Sequence, residues 1–142
     1  MIDFVPAYAA IVARLRTGLG NVKVYDTNVP LDVEKATIAG HFSPYAVITL
    51  GGGIRAARGR HMINSRWDIM QYWVVVTTIA PENGAAMQLK SEVIDLLFGF
   101  VPPDAGELTP EGGQAQSAAN ENRIPLVYQH RAMFHFYQNM ET

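Results

Sequence analysis

The sequence predicts an α+β fold: a mostly antiparallel sheet of four or more strands, two main helices packed on one face, and long interface loops. Three observations carry this expectation. Two segments repeat apolar residues three or four apart, the spacing of one helix face. Four others are rich in Val, Ile and aromatic residues in the extended, alternating manner of strands. The order is helix, strand, long loop, strand, long loop, strand, helix, long loop, strand, and the middle two strands are joined as a long hairpin.

The elements follow in chain order. Phe4, Tyr8, Ile11, Leu15 and Leu19 predict an amphipathic helix over 4–19. Asp3 is a suitable N-cap and Pro6 sits in the first turn, where its missing N–H costs nothing. Arg14 and Arg16 suit the negative end of the helix dipole, and Gly18 or Gly20 ends the helix. Asn21–Asp26 reads as a short strand, with Val22 and Val24 alternating against Lys23 and Tyr25. Thr27–Pro44 reads as a connecting loop carrying Pro30, Gly40 and Pro44. Tyr45–Leu50 is an apolar strand that Gly51-Gly52-Gly53 is expected to stop.

Arg66–Ile79 is the longest strand candidate. Trp67, Ile69, Trp73, Val75 and Ile79 share one of its faces, interrupted by Gln71 and Thr77. The intervening 51–65 segment is then a basic hairpin loop. Pro81 ends the strand, Asn83 can cap a second helix, and Ala86, Leu89, Val93, Leu96, Leu97 and Phe100 form its apolar stripe. Val101–Arg123 is rich in Pro, Gly, Asn, Gln and Ala, and reads as a long loop with nothing for a core. Leu126–Tyr137 is the last strand, with Leu126, Tyr128, Phe134 and Phe136 on one face.

Composition excludes several function classes. At 142 residues and 49% hydrophobic, the chain is expected to form a single globular domain over 1–142. It has no cysteine, so no disulfide framework, thiolate zinc site, iron–sulfur cluster or cysteine nucleophile can form. No apolar run approaches the ~18 residues of a membrane span, and Met1-Ile2-Asp3 lacks the basic start of a signal peptide.

Catalytic and metal motifs are equally sparse. His130 and His135 are an odd number of residues apart on a strand, so they point to opposite faces and cannot share a metal. His41 and His61 lie in separate loops. Gly51-Gly52-Gly53 has neither the Gly-Lys-Ser/Thr ending nor the GxGxxG spacing of a phosphate loop. No serine sits in a GxSxG elbow. Trp67, Tyr72, Trp73, Phe134 and Phe136 could stack bases, but their neighbours are Val, Ile and Met rather than Lys and Arg, which favours core packing.

The net charge of -2 hides a split. From Lys35 to Arg66 the chain carries Arg55, Arg58 and Arg60 and no acid. Between Lys90 and Arg123 it carries Glu92, Asp95, Asp104, Glu107, Glu111 and Glu121 and no base. Arg is favoured at interfaces because its planar fork binds carboxylates bidentately. Arg55, Arg58, Arg60 and Arg66 are therefore candidates to meet Asp104, Glu107 and Glu111 of another copy, a head-to-tail contact that closes into a ring if the rotation allows. In such a ring the basic loops could also face passing DNA. A nucleic-acid-binding module using the basic 51–66 segment is the competing reading; it predicts affinity that falls steeply with salt.

Val24-Tyr25-Asp26-Thr27-Asn28-Val29-Pro30-Leu31-Asp32, followed by Pro44-Tyr45-Ala46-Val47-Ile48, resembles the tail terminator proteins of long-tailed bacteriophages. The likeness continues in element order through the Trp-bearing strand, the Met87–Leu97 helix and the final aromatic strand. The resemblance implies a minor tail protein assembled as a hexameric ring in the host cytoplasm and carried in the virion tail. Its partners would be the tail tube protein and a head-completion or stopper protein, with no enzyme activity, metal or cofactor. A neck or head–tail joining protein of related fold fits the same pattern.

Overall fold

A computed structural model describes residues 5–55, 67–111, 117–119 and 127–141 of the 142. The first helix, α1, spans Val5–Gly18, followed by strand β1 at Lys23–Asp26. A second helix, α2, spans Leu31–Ala39. Strands β2 (Tyr45–Arg55) and β3 (Trp67–Ala80) precede helix α3, Asn83–Leu97. Two short strands, β4 at Thr109–Pro110 and β5 at Ser117–Ala119, precede the long final strand β6, Tyr128–Glu141. The fold is α+β, with sheet order β1-β2-β3-β6-β4 and β5 also on β6. Every strand pair is antiparallel except β1 with β2.

The two main helices pack on one face, as the stripes predict. Ile11 and Leu15 of α1 and Leu89, Val93 and Leu97 of α3 are buried against Ile48, Val74, Val76, Phe134 and Phe136. Each such side chain contributes roughly 1.5–3 kcal/mol by leaving water. Tyr72 stacks on Phe136 with ring centroids 5.5 Å apart. Two basic residues of α1 do more than balance a dipole. Arg14 Nε donates to Leu96 O at 2.5 Å and its guanidinium lies 4.7 Å over the Phe100 ring. Arg16 Nη2 donates to Val24 O at 3.3 Å, tying α1 to β1.

Four expectations need correction. First, Thr27–Pro44 is not all loop, because α2 occupies half of it. Asp32 and Glu34 stand in its first turn, and Gly40 closes it in the left-handed region at φ 79°. α2 lies on the sheet face opposite α1 and α3, where Val33 and Phe42 pack against Tyr45, Ile79 and Val127. The Tyr45 hydroxyl and Thr37 Oγ1 share a hydrogen bond of 3.1 Å there.

Second, the three glycines do not stop β2. The strand runs through them to Arg55, with a register shift between Gly52 and Ile54. Third, of the β3 aromatics expected in the core, Tyr72 joins the main cluster with Val74 and Val76, whereas Trp73 on the other face does not. Trp73 and Val75 are half-buried, and Ile79 packs with α2. The side chains of Trp67 and Ile69 lie outside the described residues. Fourth, the 101–123 segment does feed the core. Leu108 is 1% exposed and packs in the main cluster, and the segment supplies β4 and β5.

Candidate assembly surface

The acidic segment is held along the outer side of β6. Gly106 N donates to Tyr137 O at 2.7 Å, Glu111 N to Met133 O at 2.9 Å, and Leu108 N to Phe100 O at 2.9 Å. Leu108 anchors the segment like a peg. The approach at Gly106 is close: a Cβ there would stand 3.2 Å from the Tyr137 carbonyl oxygen, tight enough that the backbone would have to give by a few tenths of an ångström. Asp104 and Glu107 are exposed on this margin. Glu111 is half-buried, and its Oε1 lies 2.6 Å from His135 Nδ1. His135 also meets the Tyr137 ring edge-on at 5.5 Å.

Arg55 ends the described part of β2, opposite Met70 of β3, which in turn faces Gln138 of β6. Arg55 and the Gly106–Glu107 segment thus stand at the same level of the sheet, on opposite margins, with β3 and β6 between them. Of the seven predicted contact residues, Asp104, Glu107 and Glu111 belong to the one segment along the outer side of β6, and Arg55 is placed apart from them. Arg58, Arg60 and Arg66 lie outside the described residues.

The reason β2 forms a margin at Arg55 is β1's brevity. β1 pairs with β2 only from Lys23↔Tyr45 to Asp26↔Ile48. Thr27 then turns at φ 66°, Thr27 N donates to Ile48 O at 2.9 Å, and Asn28 N donates to Asp26 O at 2.7 Å. A positive φ is costly for a β-branched residue, so this turn is a strained exit held by its neighbours. Pro30 then leads the chain into α2.

Other polar groups are spent on structure. The Tyr8 hydroxyl donates to Asp26 Oδ1, and Thr27 Oγ1 adds a bond to the same oxygen at 3.1 Å. Burial, reinforced by the Asp26 carboxylate, pushes the Tyr8 phenol well above its ordinary range. It is a fixed donor clasping α1 to β1, a pairing no spacing rule in the sequence announces. His130 lies on the core face and His135 on the opposite one, as their odd separation requires. Among the described residues no group of three or more His, Asp and Glu gathers as a metal site would need. Among them too, no helix is long and apolar enough to cross a membrane.

No family model and no curated protein sequence matches the chain. Among solved structures, a chain from the virion of the native gene transfer agent (GTA) particle is similar. It superposes with a TM-score of 0.58 at 16% sequence identity, covering 96% of this chain and 99% of that one. At that identity the likeness establishes a shared fold from end to end.

Proposed function

We propose that this chain is a non-enzymatic structural protein of a phage-like virion. Its role is to form a ring, a hexamer by the resemblance to tail terminators, at the head-proximal end of a tail tube. The ring stops tube polymerisation and offers a joining surface to the head or neck. The whole of residues 1–142 acts as a single terminator-like domain, assembled in the host cytoplasm. The observation that carries the reading is the near-complete coverage of, and by, a chain of the GTA virion. The acid-bearing margin and the opposite, Arg55-bearing margin support self-assembly.

The test has two arms. Negative-stain electron microscopy of the purified protein is expected to reveal rings at high concentration that dissociate with salt. Added to polymerising tail tube protein, the chain is expected to fix tube length and decorate one tube end. A strict monomer at every concentration, with no binding to tubes, would overturn the proposal. Rings that ignore tubes but bind head-completion protein would instead identify a neck connector of related fold. Salt-sensitive DNA binding by isolated monomers would favour the nucleic-acid module.

A further inference from the structure

We infer that the Thr49–Arg55 edge of β2 is a strand-pairing seam that takes the acidic margin of a second copy of this chain. The inference rests on the self-assembly part of the reading above and adds its atomic basis. Beyond Ile48, no strand pairs with the outer side of β2 among the described residues. Backbone groups alternate in direction along a strand. Since Ile48 O faces Thr27 on the β1 side, the N–H and C=O of Leu50 and Gly52 face that way too, past the end of β1. They form a row of donors and acceptors ready for another chain.

The local sequence suits close approach. Thr49 and Gly51 are exposed, and a Cβ at Gly51 would meet nothing within 4 Å. A run of glycines weakens a strand, so this stretch of β2 has most to gain from a second ladder beside it. The occupant is identified by charge. The edge ends in Arg55, whereas Asp104 and Glu107 are exposed on the opposite margin at the same level of the sheet. β3 and β6 stand between the two margins, so one copy cannot bring them together across its own sheet. A second copy placed beside the first can, and the contact is head-to-tail because the two surfaces differ.

The decisive measurement is amide hydrogen exchange on the unmodified protein, before and after assembly. Leu50 and Gly52 amides are expected to exchange freely in the monomer and to slow about a hundredfold or more in the assembled state. Gly52→Pro, which removes an outward N–H, is expected to raise the half-assembly concentration about tenfold or more. Gly51→Val, whose N–H faces β3, should fold and assemble normally. Arg55→Glu and Glu107→Lys should each weaken assembly, and the double variant should recover most of it.

Rings whose Leu50 and Gly52 amides gain no protection would overturn the seam and leave the ring reading standing. Protection already complete in the monomer, or gained only on adding tail tubes, would likewise overturn it. A protein that never self-associates would remove both the ring and the seam. Failure of the charge-swapped double variant to recover would exclude the acidic margin as the occupant.

Discussion

His130 makes folding stability depend on pH in a direction that the structure dictates. Its side chain is 5% exposed on the core face of β6, and its Nε2 lies 2.9 Å from Asn83 Oδ1 at the start of α3. The neutral ring donates from Nε2 to that oxygen. Burial pushes its pKa below the ordinary imidazole value, and the nearby Lys90 charge acts in the same direction. A proton added to this ring would also sit beside the positive end of α3. The folded state therefore holds His130 neutral, while the unfolded chain takes up a proton near pH ~6.5. Stability is complete above that pH and falls as pH drops below it. The loss levels off once the folded-state value is passed. Only one proton differs, so the slope from this residue is at most about 1.4 kcal/mol per pH unit. Urea unfolding between pH 8 and pH 5, followed by circular dichroism, would measure it for the wild type and for His130→Gln. Gln keeps an amide donor for Asn83 and cannot titrate, so the wild-type advantage at pH 8 should shrink or reverse by pH 5. A wild-type minus variant difference constant within about 0.5 kcal/mol across that range would refute the reasoning.

Three further outcomes are expected. Gly106→Ala should cost about 1–3 kcal/mol, because the group it meets is the Tyr137 backbone, which has little room to yield; urea unfolding would show it, and an unchanged midpoint would contradict the close approach. Glu111→Gln should change global stability by less than about 1 kcal/mol, since both partners of the His135 pair are partly exposed. It should nevertheless speed exchange of the Glu111 amide, whose bond to Met133 O fastens β4 to β6. Phe134→Ala, at the fully buried centre of the core, should cost about 3–5 kcal/mol in the same unfolding assay.

The helices and strand order were legible where periodicity was strong. Ile11, Leu15, Leu89, Val93 and Leu97 fall at helical spacing and all five are buried in the main cluster. α2 was harder to see because its apolar side is narrow: Val33 and Thr37 face the sheet, while Leu31 and Ile38 are exposed. Its signals were punctuation rather than pattern, namely Pro30 before it, Asp32 and Glu34 in its first turn, and Gly40 after it. Leu108 was lost in a polar segment because one apolar residue has no period. The glycine run misled for a related reason. Glycine weakens a strand by entropy, but β3 alongside supplies a ladder long enough to carry Gly51–Gly53 through. The sequence does not tell the two faces of β3 apart because that strand is apolar on both sides, and which side becomes the main core depends on where α1 and α3 land.

The charge split shows what sheet topology adds to a linear reading. Along the chain, Arg55 and Glu107 are merely distant residues of opposite sign. In the fold they share a level but stand on opposite margins, with β3 and β6 between them. Strands are spaced ~4.8 Å apart, so the three steps from β2 past β3 and β6 to the acidic margin span roughly 14 Å. That exceeds the screening length of about 8 Å at physiological salt, and attraction between the margins of one sheet is correspondingly weak. Segregated this way, the charges contribute little to holding a monomer together. They gain strength only when another copy brings opposite margins within contact distance. The strained turn at Thr27 belongs to the same arrangement, because it is what takes β1 away from β2 before Arg55 is reached. Straightening that turn would extend β1 along β2 and cover the edge. The strain at Thr27 thus keeps this edge of β2 clear of β1, and relieving it would disfavour the proposed pairing with a second copy.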